Sequence, residues 1–347
     1  MAFLPEPKAF LAQVGETSRA EVIEVDDSEL QLHGLIEFGT QILKVRLPDG
    51  SVKSAHNEIR AQLDLDKKFK PGDMVLVVLG EEPLIARDHW RLGWIAVLFG
   101  GFCVLLVAFG GWTGAKALLS FVFSCLAVWK LLIPLCLAGL RADWASFAVV
   151  SVLTAVIMYL VAGGTRKGLA AFVGAMLGIV ASLGLADFFA AVMNVDGATM
   201  PFVQTLIYSG FADIDLSDVF TGAVILASSG AVMDLAMDIA ASVEEVARHN
   251  PSLSRRELVF SGLRVGRSVV GTMTTTLLLA YSGGYLTLLM VFAAQGTHPL
   301  DFINSTLVSA EIVKTLVGSF GLVLVAPFTA LVAAVAYGGD QRLKFEV

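Results

Sequence analysis

Gly230-Ala-Val-Met-Asp-Leu-Ala-Met-Asp238 lies inside a long apolar run and places two carboxylates four residues apart. The run, roughly 218–247, is long enough to cross the ~30 Å hydrocarbon core of a bilayer as a helix. A charged side chain facing lipid costs roughly 3 kcal/mol or more, so Asp234 and Asp238 must face a protein interior or a water-filled cavity. The next apolar run, 262–293, opens with Arg264 and Arg267 and continues through Thr272, Thr274, Thr275 and Thr276. Two adjacent membrane helices carrying this much polarity are where function is sought first.

Working outward, the rest of the chain has the same character. It has 347 residues, 56% of them hydrophobic, and a mean hydropathy of +0.75. That is far above a soluble globular protein. Apolar runs at 92–110, 113–138, 143–162, 168–193, 218–247, 262–293 and 304–338 read as seven spans. The last is too long for one straight crossing. Gly318-Ser-Phe-Gly321 and Pro327 are expected to break it, with its first half interfacial or re-entrant where protein shields it. Cys103, Cys125 and Cys136 fall within the spans, lack metal-ligand spacing and read as small apolar fillers. Gly174-x-x-x-Gly178 and Gly262-x-x-x-Gly266 suit close helix contacts, within one subunit or in a homo-oligomer.

Residues 1–86 form a separate β-rich soluble domain. Arg19-Ala-Glu-Val-Ile-Glu-Val25 and Gln41-Ile-Leu-Lys-Val-Arg-Leu47 alternate with the period of strands. Pro48-Asp-Gly-Ser51 is a turn into Val52-Lys-Ser, and Pro71-Gly72-Asp73 precedes the buried-strand pattern Met74-Val-Leu-Val-Val-Leu79. Five short strands with little helix predict a small β-barrel of OB type. It carries no aromatic stacking platform or basic stripe, so a nucleic-acid partner is not expected. The fold class is therefore a polytopic α-helical membrane protein with an N-terminal β-barrel: barrel to residue 86, membrane domain 87–340, short tail 341–347. Ten Lys and Arg line one set of loops and the C-terminal tail, whereas the opposite loops hold only Arg87, Arg91 and Arg141. The positive-inside rule then puts the C-terminus in the cytoplasm and the barrel outside.

In the polar hairpin, a helix entering near Asp218 reaches Asp234 after about 24 Å and Asp238 after about 30 Å. Ser254-Arg-Arg-Glu257 is a capping-box start for the returning helix. A turn centred on Pro251 sets Asp238 level with Arg264, within hydrogen-bond reach. It sets Ser228 and Ser229 level with Thr274 and Thr275. One reading is an ion pathway, with hydroxyls at mid-membrane and carboxylates drawing cations, and with Met233 and Met237 as possible soft ligands to a metal beside Asp234 and Asp238. The other is structural: an interfacial Asp–Arg bridge, hydroxyls bonding helix to helix, and methionines filling the core. Glu311 and Lys314, three apart on the last run, are a second polar pair, either an ion pair or a gate. No zinc-protease motif, nucleophile elbow or phosphate-binding loop is present, the five histidines are scattered, and no cofactor is indicated.

Several segments together resemble the YibE/F family of bacterial multi-span membrane proteins. They are Gly111-Trp-Thr-Gly-Ala-Lys-Ala-Leu-Leu-Ser120, Gly164-Thr-Arg-Lys-Gly168, Leu206-Ile-Tyr-Ser-Gly-Phe-Ala212, Ala227-Ser-Ser-Gly-Ala-Val-Met-Asp-Leu-Ala-Met-Asp-Ile239, Gly266-Arg-Ser-Val-Val-Gly-Thr-Met-Thr-Thr-Thr276 and Ala280-Tyr-Ser-Gly-Gly284. The resemblance implies a bacterial plasma membrane. It also implies an N-terminal membrane helix ahead of an extracytoplasmic β-domain. Residues 1–86 contain no such helix or signal peptide, so either an upstream segment is missing, the alternative the resemblance supports, or the β-domain is cytoplasmic and the loop charges mislead. The expected function is a transporter or channel for a small solute, foremost a cation, with the bilayer as its other partner. A membrane-anchored assembly or scaffold protein, whose β-domain binds a partner, is the alternative. An intramembrane enzyme is a third class with the least support.

Overall fold

The structure is a computed structural model that describes residues 15–34, 36–62, 66–80 and 82–338; the expected tail, 341–347, lies outside them. The chain divides into two compact units, Met1–Phe109 and Gly110–Val347.

In the first unit the described residues form strands β1 (Thr17–Asp26), β2 (Leu30–His33), β3 (Ile36–Arg46), β4 (Val52–Arg60), β5 (Met74–Val78) and β6 (Leu84–His89). The sheet order is β1-β5-β6-β4-β3-β2, and β1 also pairs with β3, which closes five strands into a barrel with β2 at its edge. The β4–β6 pairing is parallel. Alternate residues point inward, as the pleat demands: Ala20 and Val22, Leu43 and Val45, Val75 and Val77 are all buried in one cluster with Phe69. The buried Gln41 is fully satisfied. Its amide nitrogen donates to Asp27 Oδ1 (2.9 Å) and to the Phe69 carbonyl (3.0 Å). Its oxygen accepts from the Phe69 amide (2.9 Å) and from Asn57 Nδ2 (3.1 Å). A polar core residue is stable only with such partners.

The helices are α1 (Leu92–Ala127), a π-helical turn (Val128–Leu132), α2 (Ile133–Leu137), α3 (Ala142–Ala162), α4 (Arg166–Met193), α5 (Val203–Tyr208), α6 (Leu216–His249), α7 (Arg255–Gly284), α8 (Leu286–Ala294), α9 (Pro299–Asn304) and α10 (Thr306–Tyr337). Among the described residues, five stretches are long and apolar enough to cross a membrane, or six if α7 and α8, bent by 65° at their junction, make one span. The expectation of seven differs because 92–110 and 113–138 run together as one helical stretch of 46 residues, Leu92–Leu137. That stretch is broken at Gly111 (φ 53°, ψ −130°), a conformation side chains with a Cβ rarely adopt.

The expected break in the last span does not occur. α10 is one helix of 32 residues with Pro327 inside it. Its glycines are contact notches instead: a β-carbon on Gly318 would meet Leu277 at 3.1 Å and Ser228 at 3.3 Å, and one on Gly321 would overlap the Ser182 hydroxyl. The bend falls earlier, where α7 ends at Gly284.

The core of the second unit lies between α4, α6, α7 and α10 and is built mostly of Ala, Val, Ile and Leu. Small residues let these backbones approach closely. A β-carbon on Gly174 of α4 would overlap the Thr329 hydroxyl of α10, and Ser182, two turns on, enters the notch at Gly321, two turns back. α4 and α10 are thus antiparallel and interlock hydroxyl-to-glycine at two sites. On α7, a β-carbon on Gly262 would lie 2.9 Å from Val243 and 2.8 Å from Ala330, and one on Gly266 would lie 3.4 Å from Ile239 and 2.9 Å from Ala326. Both glycines therefore seat α7 against α6 and α10 at once.

Candidate functional site

The site is built on α6 and α7. Asp215 caps α6 by accepting from the amides of Ser217 (2.8 Å) and Asp218 (3.3 Å). Ser254 and Glu257 form the expected capping box at the start of α7. α6 runs 34 residues, and polar clusters mark the level of each of its ends. At one, Arg141 pairs with Asp218 (3.1 Å) and Asp143 (2.8 Å); the hydrogen bond to Asp218, then the nearby carboxylate charges, raise the guanidinium pKa still further. At the other, Lys167 pairs with Glu244 (3.0 Å), which also accepts from the Tyr337 hydroxyl (2.9 Å). Asp218 and Glu244 are about 39 Å apart along the helix. A ~30 Å hydrocarbon slab centred between these clusters places Asp234 about 4 Å and Asp238 about 10 Å from its middle.

α6 is covered by α3, α4, α10 and α7. What stays uncovered is one strip at helical spacing: Ala227, Gly230, Asp234, Asp238 and Glu245 are exposed, while Val232, Leu235, Ala236 and Ile239 are buried. α7 likewise turns Gly262 and Gly266 inward and leaves Arg264, Arg267, Ser268, Gly271, Thr272, Thr275 and Thr276 exposed. The hairpin thus shows an uncovered face that is polar from the Arg264 end to about the middle of that slab and apolar beyond, where Leu278 and Leu279 are exposed.

The register differs from expectation. Gly262 lies against Val243 and Gly266 against Ile239, so Asp238 is level with Arg267, and Arg264 lies closer to the helix end. Among the described residues, no hydrogen bond or ion pair joins Asp238 to Arg264. The reason is the turn: α6 runs to His249 and α7 starts at Arg255, so the hairpin centre falls beyond Pro251. For the same reason Ser228 is level with Leu277 rather than Thr274. Ser228 and Ser229 are buried, and their hydroxyls donate to Val224 (2.9 Å) and Leu226 (2.8 Å) carbonyls of their own helix. Thr272, Thr275 and Thr276 donate to Val269 (2.9 Å), Gly271 (3.1 Å) and Thr272 (3.0 Å) carbonyls, and Thr274 to that of Val270. These hydroxyls bond within their helices and not across them, leaving their oxygen lone pairs to face outward on the exposed threonines. Met233 and Met237 are half-buried and pack against the core. Among the described residues no cluster of three or more His, Cys, Asp or Glu could hold a metal.

Glu311 and Lys314 do pair, at 2.9 Å and largely buried. Lys314 Nζ also sits over the rings of Phe220 (5.6 Å) and Tyr285 (6.0 Å). Sequence reasoning missed Tyr281. The α7–α10 register sets it level with Glu311, and its hydroxyl and the second Glu311 oxygen are buried without a hydrogen-bond partner among the described residues. The signal available was the aromatic-polar break Tyr281-Ser-Gly-Gly284 within an apolar run.

A family model described as YibE/F-like protein matches residues 98–339. That range takes in the whole hairpin and α10. No curated protein and no solved structure matches the chain.

Proposed function

We propose that this chain, which belongs to the YibE/F-like protein family, is a membrane transporter or channel for a small solute, foremost a cation, whose route follows the uncovered α6–α7 face. The observation that carries this reading is the exposure of Asp234 near the middle of a membrane-length helix, with Asp238 exposed one turn further on. At that depth a charge facing lipid is too costly to keep, so the face borders water. Arg267 is level with Asp238 and offsets it, whereas the level of Asp234 on α7 is occupied by Gly271. The deepest charge on the route is therefore acidic and favours cations. A dry, packed Asp–Arg pair would have favoured the scaffold reading; the open carboxylates support the route instead.

In this reading the broken stretch 92–137 crosses twice, giving seven crossings in a bacterial plasma membrane. The C-terminus is then cytoplasmic and the barrel outside. The barrel's order and its parallel β4–β6 closure are read as OB-type.

The test is flux from proteoliposomes of the purified protein, assayed for sodium, potassium, magnesium and chloride. Cation release above protein-free vesicles, with chloride retained, is expected. Release of no cation, or of chloride as fast as cations, overturns the reading.

A further inference from the structure

We infer that the uncovered α6–α7 face is closed by the same face of a second copy of this chain, about a twofold axis along the bilayer normal. A polar strip reaching mid-membrane cannot be left to lipid, and the chain shows what its lipid-facing surface looks like elsewhere: α3 exposes Trp144, Val152 and Tyr159, all apolar or amphipathic. On the hairpin the exposed groups are instead Asp234 and Asp238 on one helix and Arg264 and Arg267 on the other.

At the level of Asp238 and Arg267 an acid stands beside a base, which makes the face complementary to itself there, as an isologous contact requires. A twofold axis along the normal keeps every residue at its own depth. Asp238 and Arg267 are level within one protomer, so Asp238 of each copy meets the other copy's Arg267 at the same depth. Small residues allow the approach: Ala227 and Gly230 on α6 and Gly271 on α7 are exposed on this face, and a β-carbon on Gly230 or Gly271 would meet nothing. The occupant is a second copy because a face of mixed charge at one depth needs a partner with the same mixture inverted, and the twofold operation supplies it. The inference rests on the reading that this face borders a water route and not lipid, and the route then runs between two copies.

The experiment uses a variant with Cys103, Cys125 and Cys136 replaced by alanine, reconstituted in liposomes. Mixed protomers, half with a single cysteine at Gly230 and half with one at Thr275, should form disulfide-linked heterodimers under mild oxidation, because the twofold sets these two at one level on facing helices, and a cysteine at Tyr159 should not. Asp238→Arg should weaken dimerisation about tenfold, the low end of the effect for close charge pairs, and adding Arg267→Asp should restore it. Melting of each variant separates lost dimers from lost fold. Absent heterodimer cross-links, equal cross-linking at Tyr159, or a double swap no better than the single, overturns the inference. Cation flux from a protein that stays monomeric would sink the dimer and leave the proposed function standing. Dimers without flux would do the reverse.

Discussion

Asp234→Asn should lower cation flux at least about tenfold, as expected when roughly 1.4 kcal/mol of ion stabilisation is lost at one site, while the protein melts at its normal temperature or slightly above. The substitution preserves size and hydrogen-bonding groups and removes only charge. Among the described residues no hydrogen bond or ion pair engages the Asp234 carboxylate, so nothing structural is broken, and removing an uncompensated charge relieves its desolvation cost. A packing role would leave flux unchanged. Glu245→Gln is the matched control on the same strip. Glu245 lies one turn beyond the slab, pairs at the surface with His249 (3.2 Å) and Arg248 (3.9 Å), and its loss should leave flux within twofold, the scale on which surface pairs matter. Wild-type flux in the Asp234 variant, with unchanged melting, rules out a cation route past this residue.

Gly174→Val should cost about 3 kcal/mol or more, at the upper end for overpacking a tight contact, and should cut the yield of monodisperse protein sharply. The added carbons collide with the Thr329 hydroxyl and with its backbone Cα at 2.8 Å. A flexible side-chain tip could move, but a helix backbone cannot, so α4 and α10 must separate. Separation also opens the second lock, Ser182 at Gly321. Gly184→Val, on the same helix where a β-carbon meets nothing within 4 Å, should be tolerated, because valine replaces glycine in a helix without a clash. Detergent-solubilised melting curves of the two variants check this. Equal melting temperatures would show that the glycine notch is not what holds α4 to α10.

Much of this arrangement is legible in the amino-acid order, and its failures have one cause. The strands near Arg19 and Gln41 follow from period-two alternation, those near Val52 and Met74 from the turn signals ahead of them, and the α7 start from Ser254 and Glu257, because these signals are local. Register is not local. Taking Pro251 as the apex of the hairpin pairs Asp238 with Arg264, whereas α6 continues to His249 and sets Asp238 level with Arg267. Glycine in an apolar run is ambiguous in the same way. Gly318 and Gly321 look like a break but are notches for Leu277 and Ser182, while the bend lies at Gly284. Only the facing helix decides which role a glycine takes. The open face itself was half-visible. The i, i+4 spacing of Asp234 and Asp238 puts both on one side of α6, but whether α3, α4, α7 or α10 covers that side is a tertiary fact.

A solute route along α6 and α7 requires water at the middle of α6, and cysteine accessibility reads that directly. In the cysteine-free protein, single cysteines at Ala227, Gly230, Asp234, Asp238 and Glu245 are exposed in membranes to a charged, membrane-impermeant thiosulfonate, beside cysteines at Val232, Leu235 and Tyr159. Modification is expected at 227, 230, 234 and 238, following the helical spacing of the strip, and none at the two core positions or at position 159, which faces lipid in this reading. Protection of 230 and 234 while position 245 is modified would mean that the face is dry at mid-membrane, and would contradict a solute route along α6 and α7.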